Sequence, residues 1–227
     1  NTFLKQILAP ATSGSDTVSP STSFTYQVSA IDNADNESAK STSQIAATSA
    51  CPPTTSILEG WWKLDESSGT TAQDSSGNNN AGTLIGGSLW QPTSGKVAGS
   101  LLFSGSNDEY VNAGKQSTLN DLPAKGGMSI SMWVKPSTFT GSPILLSKSP
   151  LGTGWFWRMF SGGGLEFIAY FSQGAIDVSN YAGLTSNEWQ HLVLTWDGSA
   201  NMNNLKMYRN GALLSQSGGQ SGSGTYL

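Results

Sequence analysis

The amino-acid sequence predicts an all-β chain: an antiparallel two-sheet sandwich over residues 57–227, preceded by part of a second β-sandwich over residues 1–50. Three observations lead there. Short runs alternate apolar and polar side chains with period two, the runs are closed by Gly, Asn, Ser and Asp turns, and no segment carries sustained helical periodicity with caps. Composition agrees, because only 11% of the 227 residues are charged while 10% are aromatic and 27 are glycine. That balance suits short strands joined by many turns and argues against disorder or a coiled coil.

In chain order, Phe24 to Ile31 alternates, Asp32 to Asn36 supplies a turn, and a Ser/Thr-rich strand runs through Gln44 to Ala47, which together predict a hairpin. Residues 51–56, CPPTTS, form an extended, semi-rigid connector, since consecutive prolines disfavour both helix and central strand. The single cysteine, Cys51, lies in this connector and has no internal disulfide partner. Downstream, strands are expected in ILEGWWKL, GTLIGGSLW, SLLFSG, EYVNAG, MSISMWVK, ILLSK, GWFWRMF and LEFIAYF. The clearest pair is NEWQHLVLTWDG and NLKMYRNG, residues 187–198 and 204–211. Alternation sends Trp189, His191, Val193 and Thr195 to one face and Gln190, Leu192, Leu194 and Trp196 to the other. Asn210-Gly211 accepts positive φ at both central positions of a tight hairpin turn leading into ALLSQ.

These runs carry two family resemblances. The pattern Y-x-V-x-A-x-D from Tyr26 with its Asn-Glu-Ser turn resembles the last two strands of a fibronectin type III domain, an immunoglobulin-like sandwich; the resemblance places Tyr26 at the tyrosine corner and implies that the earlier strands are missing. GWWKLDESSGTTAQDSSGNNNAGTL at 60–84, LLFSGSNDEYVNAG at 101–114, SISMWVKP at 129–136, WQHLVLTWDG and LKMYRNG together resemble the laminin-G-like, concanavalin A-like jelly roll. That family implies further closing strands after Leu227, and the chain, beginning at Asn1 without an initiator methionine or signal peptide, is expected to be a fragment or processed piece.

Concanavalin-like sandwiches include glycoside hydrolases, which work with two carboxylates flanking the bond. No Glu-x-Asp-x-Glu spacing occurs; Glu166 stands alone in an aromatic run, Asp177 comes eleven residues later, and the adjacent Asp65 and Glu66 would point to opposite faces of a strand. The only histidine, His191, is expected to be a buried, hydrogen-bonded strand residue, and one His with one Cys cannot form a zinc tetrad. Non-catalytic function is therefore expected. For a metal, the oxygen-rich loop from Asp74 to Asn80 suits calcium, with Asp74, Asn78 and Asp65 as ligands, and the family resemblance implies a structural calcium; the same residues equally form a polar turn whose side chains cap their own backbone. The turn Ser106 to Glu109 is a second acidic loop.

Sugar binding uses aromatic faces with a few polar groups. Trp155, Phe156, Trp157, Phe160, Phe167, Tyr170 and Phe171 crowd two neighbouring runs, with Trp155, Trp157 and Met159 on one face and Phe156, Arg158 and Phe160 on the other. Trp155, Trp157, Arg158 and Tyr170 are the candidate ligand-binding residues, although the aromatics also serve as core between two sheets, and Trp61, Trp62, Trp133, Trp189 and Trp196 are assigned to structure. A formal charge of −4 and a pI near 4.8 speak against a nucleic-acid partner, and no apolar run reaches the ~20 residues that span a bilayer. The expected protein is an extracellular or cell-surface recognition module for carbohydrate or surface glycan. The alternatives are an adhesive module for protein partners, a divergent glycosidase, or an accessory domain of a glycoside hydrolase.

Overall fold

The computed structural model describes residues 23–31, 34–47, 58–105, 108–116, 119, 122–123, 126–148, 153–181 and 183–227. The chain divides into two compact units, 1–57 and 58–227. The expected connector with Cys51, and Ser106 and Asn107 of the second acidic loop, lie outside the described residues.

In the first unit, β1 (Ser23–Tyr26) pairs antiparallel with β2 (Gln44–Ala47), Tyr26 opposite Gln44. Past Tyr26 the two segments stay tied by Ser41 N to Val28 O and Ser38 N to Ala30 O, both 2.8 Å, and by a bridge between Ile31 and Glu37. Here the hydroxyls of Ser41 and Ser38 accept from the amides of Val28 and Ala30, at 3.0 and 2.9 Å. Serine side chains thus replace ladder carbonyls, which is why the hairpin outruns its regular strands.

The second unit holds β3 (Thr71–Ala72), β4 (Gly82–Ile85), β5 (Leu89–Gln91), β6 (Ser100–Leu102), β7 (Tyr110–Asn112), β8 (Met128–Val134), β9 (Ile144–Lys148), β10 (Trp155–Phe160), β11 (Gly164–Asn180), β12 (Gln190–Trp196), β13 (Lys206–Arg209), β14 (Ala212–Leu213), β15 (Gly218–Gln220) and β16 (Ser223–Tyr226). One large sheet runs β14-β13-β12-β8; the other contains β9, β10, β11, β15 and β16; β3-β4-β7 and β5-β6 form two smaller ones. Every pairing is antiparallel. The expected strand ILEGWWKL contributes only a bridge between Trp62 and Asp74, and GTLIGGSLW breaks into β4 and β5 at Gly86, whose φ is +83°.

Two faces of β12 behave as alternation demands: Gln190, Leu192, Leu194 and Trp196 are buried, and His191, Val193 and Thr195 are partly exposed. Gln190 is buried without penalty because its side-chain amide donates to Thr185 O at 2.8 Å while its oxygen accepts from Thr185 N at 3.1 Å. Asn210 and Gly211, at φ +51° and +82°, turn β13 into β14. Between the two large sheets lie Trp155, Trp157, Met159, Leu165, Phe167 and Phe171 from one side and Met128, Leu192, Leu194, Trp196 and Met207 from the other. Trp196 is the hub, its ring centroid 5.4 Å from Phe167, 6.3 Å from Phe171 and 6.1 Å from Tyr226. Each such ring removes about 150–250 Å² from water, roughly 4–6 kcal/mol of transfer free energy. Two other tryptophans depart from the structural role expected of them: Trp61 and Trp133 are 48% and 42% exposed, with the ammonium groups of Lys63 and Lys96 over their rings.

Candidate functional site

The long strand β11 reverses on itself. The Leu184 amide donates to the Gly163 carbonyl at 2.6 Å, a contact that a straight segment between them would forbid. Gly174, at φ +93°, supplies the turn. Burial confirms the register: Phe171, Ala169 and Phe167 on the outgoing arm match Ile176, Val178 and Asn180 on the return arm, all buried on the core side. The opposite side of the two arms therefore carries Glu166, Ile168 and Tyr170 together with Asp177, Ser179 and Tyr181. Next to the outgoing arm, β10 places Arg158 opposite Glu166 and Phe156 opposite Ile168; next to the return arm, β15 places Gln220 opposite Asp177.

Arg158 and Glu166 form an ion pair, the guanidinium using Nε and Nη2 on the same carboxylate oxygen, with side chains 34% and 15% exposed. The guanidinium also lies 5.4 Å from the Phe156 ring centre. Phe160 meets Tyr181 edge-on with ring centres 5.1 Å apart. That contact depends on Gly164, because a Cβ there would strike the Phe160 ring. Asp177 completes the row. Burial first, and then the Glu166 carboxylate, push its carboxyl above the ordinary range, against the pull of Arg158 and of a hydrogen bond from Ser179. Its Oδ1 is buried and has no hydrogen-bond partner. The face thus combines one ionised pair, one under-satisfied carboxyl and the rings of Tyr170, Phe160 and Tyr181.

Of the four ligand-binding residues expected from sequence, Arg158 and Tyr170 lie on this face. Trp155 and Trp157 do not: they are 5% and 0% exposed, on the core side of the sheet. The physical reason is volume, since the widest gap between two packed sheets is filled by the largest rings. Sequence reading missed that Asp177 shares a face with Glu166. The signal was there, in the alternation Ile176-Asp177-Val178-Ser179 following a Gly, but Gln-Gly is a weaker hairpin dipeptide than Asn-Gly.

The Asp74 loop is built differently. Asp74 Oδ1 accepts from the amides of Trp61 and Ser76, both at 2.9 Å, and Oδ2 accepts from Ser76 Oγ at 2.7 Å and Asn80 N at 2.9 Å. Burial pushes this carboxyl up, but the Trp61, Ser76 and Asn80 amides and the Ser76 hydroxyl outweigh it and hold the pKa at about 2. Asn78 turns its Nδ2 to the carbonyls of Leu58 and Glu59, at 2.9 and 3.2 Å, and Asp65 Oδ1 accepts from Gly99 N at 3.0 Å. The hydrogen bonds make the loop a self-capped turn, and among the described residues no three acidic, His or Cys side chains form a group that could hold a metal. His191 is hydrogen-bonded as expected, its Nε2 2.8 Å from Ser131 Oγ, but on the partly exposed face of β12, with its ring 5.1 Å from that of Trp133.

Two depressions lie elsewhere on the surface, one of about 520 Å³ beside Gly183, Arg209 and Leu214, one of about 200 Å³ beside Leu122, Trp155 and Tyr226. Neither includes Arg158, Glu166 or Asp177. No helix of the described residues is long and apolar enough to cross a membrane. Among known proteins, a laminin-G-type family model described as the concanavalin A-like lectin/glucanases superfamily matches residues 104–226. No curated protein and no solved structure matches the chain.

Proposed function

Because this chain belongs to the concanavalin A-like lectin/glucanases superfamily, we propose that it is a non-catalytic carbohydrate-recognition module acting outside the cell, with the hairpin of the first unit as a fibronectin-type spacer. The binding surface is the outer face of β10 and β11. The observation that carries this reading is the row Arg158, Glu166 and Asp177 flanked by the rings of Tyr170, Phe160 and Tyr181 on one sheet face. Rings stack on the apolar faces of pyranoses, while charged groups bind hydroxyls at fixed positions.

A polysaccharide array probed with the full chain tests this. Binding that Tyr170→Ala and Arg158→Ala abolish, with unfolding temperatures unchanged, supports it; silence across the array overturns it and moves the assignment to a protein partner. A second reading, hydrolysis, draws on Glu166 and Asp177, one carboxylate ion-paired with Arg158 and the other pushed above the ordinary carboxyl range by burial and by Glu166. Release of reducing ends from the bound polysaccharide, lost in both Glu166→Gln and Asp177→Asn, would establish that reading instead.

A further inference from the structure

We infer that the second unit carries another binding surface, the outer face of β8, β12 and β13, and that it takes an acidic polysaccharide: a uronate chain stacked on Trp133, its carboxylates met by Lys96 and Lys206. This surface lies on the other large sheet from β10 and β11 and does not depend on that face.

Three observations carry it. The first is an aromatic platform turned to solvent. Leu192, Leu194 and Met207 point into the core, so the register gathers Ser131 and Trp133 of β8, His191 and Val193 of β12, and Lys206 and Tyr208 of β13 on the opposite side. Trp133 is 42% exposed there, whereas Trp155, Trp157 and Trp196 are all buried. An indole left in water on a sheet face is surface that a ligand can cover. Trp133 and Tyr208 stand two strands and two residues apart, about 12 Å along the sheet, a spacing for successive sugars of one chain.

The second observation is that the platform is held. The His191 ring packs against Trp133 with centres 5.1 Å apart, and its Nε2 lies 2.8 Å from Ser131 Oγ. A ring already fixed by its neighbours loses little freedom when a sugar stacks on it. The third is the sign of the charge. Lys96 Nζ lies 5.3 Å from the centre of the Trp133 ring, and Lys206 is exposed on the same face; among the described residues neither is in an ion pair. The whole chain has a formal charge of −4, yet the outward positions of these three strands hold no carboxylate. Glu188 and Asp197 lie beyond the ends of β12, and Asp197 already accepts from Ser199 N and Asn204 Nδ2. An exposed cation–π contact is weak, so the Lys96 ammonium yields the ring to a pyranose and stays within reach of its carboxylate. An acidic peptide would satisfy the lysines but would leave the rings without a sugar face to stack on.

The experiment is calorimetric titration of the full chain at pH 7 and low salt with polygalacturonate, its methyl ester, which keeps the sugars and removes the charge, and polyglutamate. Polygalacturonate should bind, the methyl ester at least about 10-fold more weakly and polyglutamate more weakly still. Trp133→Ala should weaken polygalacturonate about 10-fold or more. Because Trp133 also packs on His191, the surface double variant Lys96→Gln/Lys206→Gln is the second probe; it should cost about 10-fold without lowering the unfolding temperature. No binding of polygalacturonate, equal affinity for the methyl ester, or a double variant within about twofold of the parent overturns the inference. Polyglutamate bound as tightly as polygalacturonate overturns the sugar assignment and gives the face to acidic proteins. Tyr170→Ala, which removes a ring from the other face, should leave polygalacturonate binding unchanged. Loss of binding in that variant, with Trp133→Ala harmless, would assign the ligand to β10 and β11 and overturn this surface alone.

Discussion

Asp74 and Asp177 are both aspartates on β-rich surfaces of one unit, and their surroundings are opposites. Asp74 collects three backbone amides and a hydroxyl, which hold its pKa at about 2. Asp177 has a buried oxygen with no donor and a carboxyl pushed up by burial and by Glu166. The difference separates two uses of the same side chain. A carboxylate saturated by its own chain is a fastener, here clasping the segment around Trp61 to the Asp74 to Asn80 loop; one with an oxygen buried short of donors costs stability.

The largest expected effect comes from removing the fastener. Asp74→Ala should cost about 3 kcal/mol, since hydrogen bonds to a charged group contribute about 1.5–3 kcal/mol each and partly exposed amides recover some of theirs from water. Urea unfolding would measure it, and a loss below about 1 kcal/mol would erase the contrast. Acid titration comes next. Asp74 is depressed from 3.8 to about 2, so its contribution is complete above about pH 4 and is lost as pH falls through 2; Asp74→Asn should flatten that part of the stability profile. Asp177 has the opposite sign. Its raised carboxyl penalises the ionised folded state, so Asp177→Asn should be as stable as the parent or up to about 1 kcal/mol more stable at pH 7, and the advantage should vanish below pH 3.8. A marked loss of stability at pH 7 would mean that Asp177 is held by partners after all. The smallest effect is expected from calcium: with donors filling both Asp74 oxygens, a chelator should leave the unfolding temperature within about 1 °C, because an ion that does not bind the native state cannot stabilise it.

Much of the architecture was legible in the sequence. The stretch from Met128 to Leu213 announced β8, β9, β10, the outgoing arm of β11, β12, β13 and β14 through alternation, and Asn210-Gly211 marked its own turn. Alternation told which residues share a face but not which face is inward, because Trp155, Trp157 and Met159 are as apolar as Phe156 and Phe160. Packing volume made that choice, and it placed two of the four expected ligand residues on the core side. The Glu166 and Asp177 relationship was illegible for a topological reason, since ten intervening residues hide their shared face unless the reversal at Gly174 is seen. At the Asp74 loop the residue types suited both a metal cage and a self-capped turn. Only the direction of the N–H groups decides, and no residue name carries a direction.

The pairing of β12 with β8 also has a kinetic meaning. His191 and Ser131 meet across 60 positions of chain, and all seven residues of β12 must find β8 in one register from Gln190↔Val134 to Trp196↔Met128. The β11 reversal and the β13–β14 turn are local and close in about 1–10 μs, while the β8–β12 seam must first close a long loop. Folding of the second unit should therefore wait on that seam, with two early hairpins presenting half-built sheets. During that wait, the apolar sides of β10 and β12 are the surfaces through which unfinished copies would find one another, so refolding yield should fall with protein concentration long before native stability does.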